Sequence, residues 1–324
     1  MIGDHVARSS ATLRMAWRRG ESVSLLLLVI AFAGAAMLSP YFADLRFILE
    51  SATYYSELAW LALALTPLVI AGEIDLSPAA SSALCACVFG VLMRDGWPAG
   101  AAIGAALAVG LACGALNALL VVGLQLPSII VTIGTLILYR GLAQLLVGDR
   151  GIGAFPAWFA GIDQRMVAGV PLPVLGVALA ALALGAWLAG TLGGRRVYLC
   201  GTNPQAARHA AVPVARLKAG LFMLVGGAAG AAGLVTASRL GSVRYDIASG
   251  GELTVVLMVM LGGTSIFGGR GSILGTYIAG WLLVVTASGM TVANVSIEAQ
   301  LAVLGLALIV AVVCAQAARG RERR

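Results

Sequence analysis

Apolar residues run along this chain in long, nearly unbroken stretches, with polar residues confined to short intervals between them. The stretches fall at 22–38, 51–71, 79–93, 99–123, 129–147, 172–192, 219–237, 253–261, 273–290 and 297–315. Most approach the roughly 20 residues that a helix needs to cross the hydrocarbon of a bilayer. The stretches at 79–93 and 253–261 are shorter. None shows the period-two alternation of a membrane β-barrel, and a helix satisfies its own backbone polar groups in lipid. The pattern predicts an all-α fold, a polytopic bundle of about ten transmembrane helices. Two glycine-containing polar breaks, 72–78 and 262–272, interrupt it. Residues 68–90 and 258–280 share one order: apolar segment, break, small-residue helix. That order has the form of an internal repeat with discontinuous helices.

The interval 193–218 is of another kind. It holds Arg195, Arg196, Arg208, Arg216 and Lys218, and no Asp or Glu. Its middle reads as a short helix: Asn203 is a good N-cap, Pro204 suits the first helical position, and residues 205–211 are mostly helix formers. Pro213 opposes continuation. This segment is either an ordinary basic loop or a surface offered to a partner.

Composition bears out the membrane reading. Only 11% of the 324 residues are charged and 60% are hydrophobic, whereas a soluble domain carries roughly 25% charge. The net charge of +7 does not point to nucleic acid, because the basic residues border spans, where orientation rules account for them. Sorting the intervals by side places fourteen Lys and Arg on one side and six on the other, with Arg140 inside a span. Both termini are therefore expected in the cytoplasm. The domain layout follows: a cytoplasmic tail at 1–21, a transmembrane domain at 22–315 containing the cytoplasmic loop 193–218, and a basic cytoplasmic tail at 316–324. The first stretch is read as a span and not a cleaved signal peptide, since Ser39-Pro40 follows it in place of a small-residue cleavage site.

Little of the chain suggests catalysis. The five Cys (85, 87, 113, 200 and 314) form no C-x-x-C pair and have only His5 and His209 to join them, so neither a metal site nor a disulfide framework is expected, and no catalytic constellation emerges. The glycine turn at 261–272, LGGTSIFGGRGS, lacks the Lys-Ser/Thr of a phosphate loop. It is read as a sharp reversal buried in protein. Gly100 and Gly104, Gly110 and Gly114, and Gly226 and Gly230 have the spacing of close helix–helix contacts. Asp75 either caps the helix that follows it or serves function, as acids near the membrane often do. Asn117, Thr132 and Thr135 either line a passage for a polar solute or hydrogen-bond between helices; the second is the plainer reading. Trp158 and Phe159 are expected to anchor an outer segment at the interface. One function to weigh for such a bundle is that of an ion-coupled secondary transporter. It calls for an acidic or histidine relay at mid-membrane, and the chain offers only Glu57, Glu73 and Asp75.

Four motifs together resemble one family. These are GEIDLS (72–77), PSIIVTIGT (127–135) with Tyr139-Arg140-Gly141, GTNPQAAR (201–208) and LGGTSIFGGRGS (261–272). They stand in the order found in permease subunits of bacterial ABC importers for monosaccharides, of the ribose, rhamnose and autoinducer-2 type. The resemblance covers about residues 50–315. It implies an inner-membrane transport subunit, not an enzyme, that pairs with a second permease subunit (a copy or a paralogue) around the translocation path. It also implies a cytoplasmic ATPase that uses the ATP, no cofactor bound by this chain, and a periplasmic or extracellular solute-binding protein. Gly201, Asn203, Pro204, Gln205, Ala206, Ala207 and Arg208 match the short helix that docks on the ATPase in such importers. Glu73 stands where a second glycine is usual, and Arg208-His209 is more charged than the common pair.

Overall fold

The computed structural model describes residues 21–37, 42 and 44–322. The tail expected at 1–21 therefore lies outside the described residues apart from Glu21, as do Arg323 and Arg324 of the C-terminal tail. In chain order the helices are α1 (Glu21–Met37), α2 (Leu45–Thr53), α3 (Ser56–Ile70), α4 (Pro78–Arg94) and α5 (Ala99–Ala118), which continues as a π-turn over Leu119–Gly123. Next come α6 (Ser128–Val147), α7 (Ala157–Ala160), α8 (Leu172–Gly190), α9 (Leu192–Thr202) and α10 (Pro204–His209). The last four are α11 (Val214–Leu240), α12 (Gly251–Leu261), α13 (Ile273–Val292) and α14 (Ile297–Glu322). Five of these segments, 99–123, α6, α8, α11 and α13, are long and apolar enough to cross a membrane. The pair α2–α3 adds a sixth if read as one broken span, bent by 67°. Helices α1, α4 and α12 and the first part of α14 are apolar but shorter.

Every predicted stretch coincides with a helix, but four local readings change. Residues 45–50, expected as outer loop, belong to α2, and the bend falls at Tyr54-Tyr55. Helix α11 begins at Val214, directly after Pro213, and not at 219. The basic interval opens with a second helix, α9, capped by Thr191 accepting a bond from Gly194 N–H at 3.2 Å. The all-α expectation omits two short antiparallel pairings: β1 (Ile152–Gly153) with β4 (Ser242–Val243), and β2 (Met166–Val167) with β3 (Val170–Pro171).

Helix α3 forms the axis of the bundle. Residues 61–71 are buried without exception, as expected of a helix that is apolar on all sides. Helix α11 packs against α3, α4 and α5, and α12 and α13 close the other side of α3. Helices α6 and α8 instead keep large apolar side chains outward, Ile130, Ile137, Leu145 and Leu182 among them. Such surface is stable only against lipid or another protein.

The α5–α11 contact shows why small residues recur. A Cβ on Gly110 would lie 2.4 Å from the Gly226 carbonyl oxygen, and one on Gly226 would lie 2.2 Å from the Gly110 oxygen. Gly114 meets the Phe222 carbonyl in the same way. Two of the three predicted glycine pairs thus bring backbones together. Gly100 and Gly104 have no neighbour within 4 Å and do not. Gly226→Ala should therefore force the helices apart and cost about 1–3 kcal/mol. Gly220→Ala in the same helix meets open space and should be neutral or stabilise by up to ~1 kcal/mol. Thermal unfolding midpoints of the two variants in detergent check this contrast.

The outer aromatic segment is also reassigned in part. Trp158 is half exposed, but Phe159 is 2% exposed. It stacks within 4.4 Å of Phe89 and 5.7 Å of Phe155, ring centre to ring centre. Phe159 belongs to the core and not to an interface belt, because β1 and α7 fold the segment back over α4 and α11.

Candidate functional site

Three of the four motifs, far apart in sequence, meet at one end of the bundle. At the end of α3 the Ile70 carbonyl is one of the acceptors that a helix cannot satisfy internally. It accepts from Gly269 N–H of the 262–272 turn at 2.8 Å. The two breaks thus lie side by side, and Thr66 and Thr276 join their helices by a hydroxyl–hydroxyl bond of 2.8 Å. Helix α9 rests on the same spot. A Cβ at Gly201 would fall 1.7 Å from the Ile70 oxygen and 2.5 Å from Gly269 N. Only glycine fits there. Tyr198 Oη donates to the Gly271 carbonyl at 2.8 Å, holding the turn against α9 from the other side.

Asn203 then starts α10. Its Oδ1 accepts from Gln205 N–H and Ala206 N–H, both at 3.0 Å, and Pro204 occupies the first turn. This capping pattern is the one the residue types call for. The helix stops at His209, shorter than the expected 203–211, because Ala211 adopts φ +55° before Pro213. Only Ala207 of α10 is buried, against Cys200, Val212 and Val214. Asn203, Pro204, Gln205, Ala206 and Arg208 are all exposed, so most of the surface of α10 is free to meet another molecule.

The fourth motif joins through the break. Ser128 Oγ accepts from Ile74 N–H at 3.3 Å, and Thr132 Oγ1 donates to the Ile74 carbonyl at 3.4 Å. Asp75 Oδ1 accepts from the backbone N–H of Ser77 at 2.8 Å and its hydroxyl at 2.7 Å, so it caps the approach to α4. Asn117 Nδ2 donates to Asp75 Oδ2 at 3.2 Å and to Ser77 Oγ at 2.9 Å. Tyr139 Oη reaches the Asn117 Oδ1 at 3.2 Å and the Cys113 carbonyl at 2.9 Å. Asp75 and Asn117 are thus brought together between α4, α5 and α6, with Thr132 beside them on Ile74. Thr135 bonds within its own helix, to the Thr132 carbonyl at 3.4 Å. All four are buried in the isolated chain. Tyr139 was not singled out as a candidate, although a hydroxyl within an apolar run next to Arg140 signals a specific bond.

Beside this network a groove of about 770 Å³ opens, lined by Glu73, Val122, Gln125, Ser128, Arg208 and Lys218, among others. Lys218 forms an ion pair with Glu73. At the opposite end, Arg140 donates to the carbonyls of Tyr245 and Ile247, each at 2.7 Å, and to Glu252 Oε1 at 2.8 Å. It fixes the 241–250 segment, where the Arg244 guanidinium holds the Asp246 carboxyl below its ordinary range. Glu57 pairs with Arg239 nearby. No group of three potential metal ligands occurs among the described residues.

A family model for the branched-chain amino acid transport system permease component matches residues 47–312. The chain belongs to this permease family. The permease is 34% identical to the autoinducer 2 import system permease protein LsrD of Escherichia coli K12 and of Shigella flexneri. Each alignment spans 307 residues, 93% of this chain and 92% of the relative. The LsrD protein of Escherichia coli O157:H7 is 33% identical over the same lengths. No solved structure matches the permease. Its resemblance to permeases of ABC importers, read from four motifs, agrees with these relatives.

Proposed function

We propose that this permease is the membrane subunit of an ATP-driven importer for a small, polar, sugar-like solute. It crosses the bacterial cytoplasmic membrane about ten times with both termini inside, so α9 and α10 face the cytoplasm. The chain binds no cofactor; a separate ATPase uses the ATP and docks on α10. A second permease subunit covers part of the apolar outward face of α6, lipid covers the rest of the bundle, and a solute-binding protein delivers to the end carrying Arg140. Asp75, Asn117, Thr132 and Thr135 border the path where it passes the break. The permease runs no nucleotide chemistry of its own, having no phosphate loop.

One observation carries this reading. A short helix with its own cap is exposed on nearly every face, while Gly201 just before it is seated on the Ile70 carbonyl and on Gly269 of the 262–272 turn. Such a helix gives only Ala207 to the chain's own packing, yet its displacement would press on the break through Gly201. The relatives' name, autoinducer 2 import, supplies the first solute to try. Uptake of autoinducer 2 or ribose by vesicles holding the complete importer should require ATP and persist when ion gradients are collapsed. Uptake that continues without ATP but stops with the gradient would establish a secondary transporter instead.

A further inference from the structure

The two strands of chain that leave α10 are both fastened to the same short break, but by opposite kinds of contact. On the α9 side the contact is mainly steric, with the Tyr198 Oη–Gly271 carbonyl bond at 2.8 Å and a weak Cys200 Sγ–Ala71 carbonyl contact at 3.9 Å beside it. Gly201 lies against the Ile70 carbonyl, and Gly268 lies against Gly72 and Gly201, with backbone on every surface. Backbone overlap resists compression steeply, whereas separation is opposed there only by dispersion and neutral hydrogen bonds, which are weaker than a charge-assisted one. On the α11 side the contact is ionic. The Lys218 ammonium bonds the Glu73 carboxylate across 145 positions of sequence, and each side chain is only 15% exposed. A shielded pair resists separation strongly, because each charge freed from its partner stays without adequate hydration. Among the described residues it is the one ion pair joining the flanks of α10 to the break.

The break in turn holds α6. Ile74 bonds Ser128 and Thr132, and Asp75 reaches Tyr139 through Asn117. An inward push on α10 is therefore carried chiefly by the glycines, and an outward pull chiefly by Glu73–Lys218. We infer that Glu73 and Lys218 are a positioning pair that transmits the return stroke of α10 to the break and to α6. The inference rests on the reading of α10 as the ATPase contact.

The test uses the complete importer in proteoliposomes, with Cys314 replaced by serine and Leu126→Cys as reporter. Leu126 is 44% exposed in the turn just before α6, and the described native cysteines are buried. The rate of labelling by a water-soluble maleimide is read with and without ATP, alongside the ATPase content of the complex. With the native pair, ATP should change the rate by about fivefold or more, a typical scale for coupling between sites. Glu73→Gln and Lys218→Met should assemble with the ATPase yet lose this response, and the exchange Glu73→Lys with Lys218→Glu should restore it. The inference is overturned if the native complex shows no ATP response, or if the response survives in Glu73→Gln. It is also overturned if both single variants fail to assemble while the exchange assembles without a response, for the pair then serves the fold alone. A native permease that retains no ATPase at all would instead remove the reading of α10 beneath it.

Discussion

Gly201→Ala should disable the permease almost completely. The added methyl would overlap the Ile70 oxygen at 1.7 Å and Gly269 N at 2.5 Å. Both are backbone atoms, so no rotamer change relieves the clash. Core overpacking usually costs 1–3 kcal/mol, and an unrelieved overlap with backbone on two sides should exceed ~3 kcal/mol. The expected result is a chain that inserts but melts early in detergent, with α9 and α10 displaced from the break and uptake lost. Gly134→Ala serves as the control. It lies in α6 with no neighbour within 4 Å and should leave the melting midpoint unchanged or slightly raised. Equal midpoints for the two variants would show that the glycine contact is unimportant.

Arg140→Met should be nearly as damaging, and for a different reason. It removes the donor from two carbonyls and strands Glu252, whose side chain is 12% exposed. Breaking one partner of a buried pair costs ~3–5 kcal/mol, whereas replacing both by apolar groups is often far milder. The double variant Arg140→Met with Glu252→Met should therefore recover part of the loss, limited by the carbonyls of Tyr245 and Ile247. Arg140→Lys should rescue little, since an ammonium cannot match the fork that spans two carbonyls and a carboxylate. Melting midpoints and protease sensitivity of the 241–250 segment check all three. Equal stability of the single and double variants would refute the pairing argument.

These two cases also show what the sequence could and could not reveal. The helices were legible because lipid imposes continuous apolar runs, so α4, α6 and α13 were placed within a residue or two. The capped helix α10 was legible too, since Asn203 and Pro204 act through local backbone chemistry. What was hidden is long-range. Nothing near Gly201 indicates that Ile70 and Gly269 press on it, and nothing near Glu73 names Lys218. Local misreadings have the same origin. Phe159 looked like an interface anchor because its neighbour is Trp158, but β1 and α7 carry it into the core. Gly100 and Gly104 have the spacing of a packing motif without a helix opposite, whereas Gly110 and Gly114 meet α11. The four motifs were readable as a set, and their convergence on residues 70–77 explains in physical terms why they belong together.

The proposed drive of this permease by an ATPase acts through α10. Its most direct measurement is the amount of ATPase that co-purifies when residues 204–211 are replaced by a Gly-Ser segment of equal length. The ends of the replaced segment remain fixed by α9 and α11, so membrane insertion should be kept. The ATPase should be lost from the purified complex while the permease still inserts and folds. ATPase retained at the native ratio would contradict it.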